Sequence, residues 1–253
     1  MTPRVTAGRE SIVFDRIAGS YDDTRGGLER GRTVAAALDR LLPAGPLLEV
    51  GVGTGLVAAG LTELGRRPVG VDLSRPMLER AAARVPGRVA VGDAERLPVG
   101  TATVAGAYLV HVLHLVGDVP RTLAEVVRVL RPDGRLATTA YPDPPDDDLH
   151  REFRAVRERL GAERRPDDEA TIVGHARDAR LVPVGRQELP SAGSTPRDAA
   201  DRLEARSLSW MWSVDEDAWS RHVPPALARL RALPDQDRPR PAPGPALLAF
   251  ARR

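Results

Sequence analysis

No cysteine, lysine or asparagine occurs among the 253 residues. Without cysteine there can be no disulfide, no thiolate metal site and no cysteine nucleophile. Without lysine there can be no Schiff base, no amine general base and no lysine to grip the phosphates of a P-loop. All 37 basic residues are therefore arginine. Both lysine and asparagine have AT-rich codons, so their absence points to a GC-rich source, which fits secondary metabolism. Aromatic residues make up only 4 % of the chain, and all three tryptophans fall between positions 210 and 219. Charge of one sign is not in excess. The formal net charge is +2, with arginine and acids interspersed, which leaves no nucleic-acid footprint. Long apolar runs are missing too. The longest, near Val110, is broken by His111 and His114, and nothing approaches the ~20 residues of a membrane span. The opening MTPRVTAGRESIVFDR lacks a signal-peptide stretch. A cytoplasmic protein without a nucleic-acid or membrane partner is expected. His111 and His114 have no carboxylate or thiol near them in sequence, so no metal site is expected.

What is present alternates between two periodicities. Val34, Leu38, Leu41 and Leu42 share one face of a helix over 28–42, which Pro43-Ala44-Gly45-Pro46 stops. Leu47 to Val50 reads as a buried strand running into glycines, and 56–64 as a helix. Pro68 to Asp72 is a second strand. Ser74 can cap the next helix, with Pro76 in its first turn, where a missing N–H costs nothing. Strands follow at 88–91 and 103–110, then a helix over 119–130, a turn at Arg131-Pro132-Asp133-Gly134 and a strand at 135–141. Further on, 149–160 is expected to be helical and 181–189 and 246–251 to be strands. Residues 190–244 are too many for a bare loop and read as a helical cap that ends in a Pro-rich connector from Arg238. The fold class expected is α/β: a Rossmann-like seven-stranded, mostly parallel sheet with helices on both faces and a small helical cap. Residues 1–253 are taken as a single domain, with 190–244 inserted before the last strand.

The strongest chemical signal is Glu49-Val50-Gly51-Val52-Gly53-Thr54-Gly55, ending one strand and opening a helix. Glycines there let the backbone turn sharply and meet a ligand closely. Asp72 ends the second strand, 21 residues after Gly51, where a carboxylate can accept both hydroxyls of a ribose. Asp93, after the third strand, is placed to accept from an adenine amine. Tyr108-Leu109-Val110-His111, after the fourth, would face the same crevice at the carboxyl ends of the strands.

LLEVGVGTG, VGVDLS, GDAERLP, HVLHLVGD and LAEVVRVLRPDGRL together resemble the core of the class I S-adenosylmethionine (SAM)-dependent methyltransferases. The likeness is to the small-molecule branch typified by the ubiquinone and menaquinone biosynthesis enzymes, and it runs from Leu47 to Pro142. FDRIAGSYDD, at 14–23, resembles the segment that closes over SAM in that branch, which makes 1–45 an N-terminal helical segment closing over SAM. The resemblance implies SAM as cofactor and methyl transfer to a small, partly apolar acceptor through O, N or C. It implies that Gly51, Gly53 and Gly55 surround the aminoacyl part of SAM, with Glu49 in the same motif. Asp72 would hold the ribose, with Leu73 and Met77 beside it; Asp93 and Ala94 would bind the adenine, with Leu109 near; Tyr21 would help hold the carboxylate. His111 would sit near the transferable methyl as a general base, or else be a satisfied core histidine. Tyr108, Tyr141, Trp210 and Trp212 are candidates for the acceptor wall, the tryptophans equally for cap core. Two alternatives stay open: a SAM-binding enzyme that catalyses cyclisation or decarboxylation, and an NAD-dependent Rossmann oxidoreductase, since Gly53-x-Gly55-x-x-Ala58 also satisfies a dinucleotide pattern.

Overall fold

The computed structural model describes residues 22, 27–162, 167–212 and 214–252. Seven strands form one sheet: β1 (Leu47–Val50), β2 (Pro68–Asp72), β3 (Val89–Val91), β4 (Val104–Leu109), β5 (Leu130–Ala140), β6 (Leu181–Glu188) and β7 (Ala246–Arg252). Their order is β3-β2-β1-β4-β5-β7-β6. β1 to β5 pair in parallel, and β7 runs antiparallel between β5 and β6. The chain direction across the sheet reverses between β1 and β4, which opens a crevice at their carboxyl ends.

Side chains alternate across the sheet and feed two separate cores. Leu48, Ala107, Leu109, Leu136, Leu248 and Phe250 join one cluster, and Leu47, Tyr108, Ala137 and Leu247 join the other. Helix α1 (Gly27–Leu41) covers the second cluster through Val34, Ala35 and Leu38, with α2 (Leu56–Glu63) beside it through Val57 and Leu61. Helix α3 (Arg75–Arg84) starts where Ser74 accepts from the Met77 N–H, and α4 (Val119–Val129) where Asp118 accepts from Arg121. Helix α6 (Glu169–Asp178), capped by Asp168, adds Ile172 and Ala176 to the first cluster. It was not anticipated from the sequence. The expected turn at 131–134 lies within β5. Val104 pairs with Leu130 and Gly106 with Arg135, so four residues bulge opposite Ala105.

The chain divides into two compact units. One takes Met1–Ala140, Pro166–Leu189 and Ala246–Arg253; the other takes Tyr141–Arg165 and Pro190–Pro245. The second unit therefore contains more than the expected insertion at 190–244, because helix α5 (Asp148–Arg159) belongs with it. Asp148 binds Arg240 at 2.9 and 3.0 Å, and Glu152 binds Arg229 at 2.7 Å. Its core joins Leu149 and Val156 of α5 to Leu203 of α7 (Pro196–Glu204) and Leu230 of α8 (Glu216–Ala232). Among the described residues no helix is long and apolar enough to cross a membrane.

Candidate functional site: a nucleoside-shaped cleft

A cleft with about 860 Å³ of space, open solvent included, lies at the carboxyl ends of β1, β2, β3 and β4. Gly51, Gly53, Asp72, Leu73, Met77, Asp93 and Ala94 all line it, so the segments that the sequence reading joined meet around one space. Val112, Leu115 and Val116 form an apolar wall that the sequence reading missed.

The turn after β1 is built from left-handed backbone. Gly51, Gly53 and Gly55 have φ of +74°, +53° and +80°, a region that disfavours any Cβ. Their surroundings differ. A Cβ on Gly51 would lie 2.5 Å from the Val112 side chain, and one on Gly55 would lie 3.1 Å from Ala81. A Cβ on Gly53 would meet no protein atom within 4 Å and would stand in the cleft itself. Gly53 is thus the position where backbone faces ligand space, and Gly55 is a packing glycine against α3 that does not line the cleft.

Asp72 organises the turn before any ligand arrives. Its Oδ2 accepts from Gly53 N–H at 2.8 Å and its Oδ1 from Ser74 N–H at 2.9 Å. A carboxylate only accepts, and it can serve several donors at once. Asp93 is held similarly, with Oδ1 accepting from Glu95 N–H at 2.8 Å. Two carboxylates and an apolar wall suit a neutral, hydroxyl- and amine-bearing nucleoside better than a phosphate.

Tyr108 and Leu109 are corrections. Both are fully buried, on opposite faces of the sheet, because β4 still pairs with β5 at these positions. Only Val110 and His111, beyond the last pairing, reach the cleft. Tyr108 is occupied by Glu49: its hydroxyl donates to Oε2 at 3.0 Å. Glu49 is also buried and lies off the main cleft. Burial pushes its carboxyl up to about 8, against the opposing hydrogen bond from Tyr108.

Glu49 lines a second cavity of about 530 Å³, together with Arg30, Thr54 and Val57. This cavity shares Gly51, Gly53, Val110 and His111 with the cleft. His111 itself has φ +58°, and its backbone N–H donates to Thr139 Oγ1 at 2.7 Å. Arg30 Nη2 lies 2.6 Å from His111 Nε2. A guanidinium can only donate, so Nε2 is the acceptor in this contact. Arg30 is a residue that the sequence reading missed, since only the fold brings α1 to the end of β4. His114 is turned elsewhere, with Nδ1 2.9 Å from Asp167. Among the described residues no group of acids and histidines could hold a metal.

Tyr21 lies outside the described residues. Tyr141, Trp210 and Trp212 belong to the second unit. Trp210 packs edge-on to Phe153 with centroids 6.2 Å apart, and the Arg157 guanidinium lies 4.9 Å from its ring. Trp212 Nε1 donates to the Arg206 carbonyl at 2.9 Å. Met211 between them is fully buried. These contacts are those of packing residues within their own unit.

Residues 48–138 match a family model described as a methyltransferase domain. The chain is similar to nocamycin O-methyltransferase of Saccharothrix syringae, 35% identical over 212 residues that cover 78% of this chain and 73% of that protein. It is also similar to demethylmenaquinone methyltransferase of Mycobacterium bovis, 35% identical over 138 residues, 52% of this chain and 58% of that one. Among solved structures, a SAM-dependent methyltransferase of Thermotoga maritima, a possible histamine N-methyltransferase, superposes with a TM-score of 0.60 at 20% identity, covering 95% of this chain and 99% of that chain. At that identity the likeness speaks for the fold. With the first of these relatives matched along most of both chains, this chain belongs to the class I SAM-dependent methyltransferases.

Proposed function

We propose that the chain methylates a small, partly apolar metabolite, with the adenosine of SAM in the main cleft and its amino-acid part in the second cavity. The observation that carries this reading is the Asp72–Gly53 pair at 2.8 Å, which fixes a carboxylate beside glycine backbone open to the cleft. Asp72 accepts the ribose hydroxyls, and Asp93 with Ala94 meets the adenine edge. Leu73, Met77 and Val116 supply the apolar contact around the base. Arg30 is the cation suited to the carboxylate, a role in which it joins or replaces Tyr21. Bound SAM supplies a methyl group already activated on a sulfonium. The protein's part is then to orient an acceptor and exclude water. Where the acceptor is a hydroxyl or an ammonium, the lone pair on His111 Nε2 receives its proton, and Arg30 has to yield that lone pair first. A small metabolite in the cytoplasm, rather than a nucleic acid, fits the near-balanced charge of +2. The match to methyltransferases does not favour the nicotinamide or cyclisation alternatives.

Calorimetry with S-adenosylhomocysteine and NAD tests the cofactor placement. Asp72→Ala should weaken S-adenosylhomocysteine by about 1.5–3 kcal/mol, the loss expected for hydrogen bonds to a charged group. Wild-type affinity in Asp72→Ala, or binding of NAD alone, would overturn the placement. For catalysis, His111→Ala should cost roughly 10²–10⁴-fold in turnover with S-adenosylhomocysteine affinity little changed. Full activity in that variant would make His111 structural and leave carbon or pre-ionised acceptors.

A further inference from the structure

The turn that carries Gly53 is held from two sides, and the family motif accounts for only one of them. On the cleft side, Asp72 takes the Gly53 N–H. On the other side, Thr54, which also lines the second cavity, is 2 % exposed, and its hydroxyl donates to Asp22 Oδ1 at 2.6 Å. Asp22 Oδ2 accepts from Arg84 Nη2 at 2.6 Å and from Arg80 Nη2 at 3.0 Å. Arg84 closes the ring by donating through Nη1 to the Thr54 carbonyl at 2.6 Å. The hydroxyl and the carbonyl of Thr54 are therefore both committed, one to Asp22 and the other to Arg84. Arg80 and Arg84 stand one turn apart on α3, flanking Ala81, the residue against which Gly55 packs. One carboxylate, 32 residues before Thr54 in sequence, thus ties the β1–α2 turn to the helix that follows Asp72.

We propose that Asp22 is a positioning residue for the cofactor turn. By holding Thr54 against Arg84, it fixes the direction of the Gly53 backbone at the cleft, and cofactor affinity depends on it without any contact to the cofactor. The proposal rests on the cofactor reading above. Asp22 is itself 9 % exposed and carries two arginine partners. Its loss would leave two guanidiniums and a buried hydroxyl to find new partners, and the cheapest rearrangement is a shift of the turn.

The test is a double-mutant cycle on S-adenosylhomocysteine affinity, by calorimetry on the full chain. Asp22→Asn and Thr54→Val should each weaken binding about tenfold, as for one charge-assisted hydrogen bond lost from a preorganised site. The double variant should be no weaker than the poorer single one. Thr54→Ser, which keeps the hydroxyl, should bind within about twofold of wild type. A role in stability alone would lower the melting temperature and leave these affinities in place. Near-wild-type affinity in Asp22→Asn or Thr54→Val, or losses that multiply in the double variant, would overturn the proposal. If Asp22→Asn does not fold, Arg84→Gln, at a partner of the same carboxylate that lines neither cavity, takes its place in the cycle with Thr54→Val. If the wild-type chain fails to bind S-adenosylhomocysteine, the cofactor reading falls, whereas a binding wild type with an indifferent Thr54 removes only the role of Asp22.

Discussion

Glu49 opens the glycine motif, yet its chemistry could not be read from the motif. Its carboxyl is raised from the ordinary glutamate range to about 8, chiefly by burial. A raised acid favours folding most fully below its unfolded value and loses that contribution as pH rises through the folded value. Urea unfolding between pH 4.5 and 8 should therefore show stability falling with pH, by on the order of a few kcal/mol. Glu49→Gln, which stays neutral, should flatten that slope; an unchanged slope would mean that Glu49 is ionised when folded. Gly53→Val is the complementary residue-scale test. Its side chain would enter the open cleft from a left-handed backbone, so the fold should survive a cost of about 1–2 kcal/mol while S-adenosylhomocysteine binding is lost. A folded variant that titrates like wild type would show that ligand lies elsewhere. Asp72 and Asp93 were legible because each ends a short apolar strand and the spacing between them is local. Arg30 and Asp22 were not, because their partners, His111 and Thr54, lie 81 and 32 residues away and carry no pattern that links them.

At the scale of elements, β1 and β2 were legible to their bounds, α1, α2 and α4 within a residue, and α3 at its start, because amphipathic spacing and caps mark them. Tyr108 and Leu109 were misplaced for a reason of pairing. Hydrophobic pattern finds a strand, but it does not say where the neighbouring strand stops holding it. Helix α6 escaped because its apolar face is narrow, although Asp168 capping the Thr171 N–H was a visible start signal. Helices α1 and α2 cross closely through glycine. A Cβ on Gly31 would lie 2.5 Å from the Leu56 carbonyl oxygen. Backbone cannot swing aside as a side chain can, so Gly31→Ala should cost about 1–3 kcal/mol despite the helix propensity of alanine. Denaturant unfolding reads this directly; a more stable variant would mean that α1 retreats freely. In the second unit, Trp210→Ala should cost about 3 kcal/mol through lost packing on Phe153 and Arg157. Unchanged stability with a raised acceptor KM would instead assign Trp210 to the acceptor wall.

For the whole molecule, cofactor binding and stability should be linked. At a free S-adenosylhomocysteine concentration of about 100 times its Kd, the folded state should gain about 2.7 kcal/mol. The melting transition should move upward with ligand concentration, and Asp72→Ala should blunt the shift; a transition indifferent to ligand would place the cleft outside the cooperative core. The sheet order also bears on how the chain reaches this state. Strand β7 lies between β5 and β6, although β6 precedes it in sequence. Strands β1 to β5, which include the four at whose ends the cleft opens, can pair as they emerge from the ribosome. Strand β6 cannot join them until β7 arrives, and the intervening helical segment has to be made first. During that interval the free edge of β5 and the apolar side chains that Leu247, Leu248 and Phe250 will later cover stand exposed to neighbouring chains. The part of the sheet that carries the cleft thus ripens early, and the vulnerable moment in biogenesis is the wait for a single seven-residue strand.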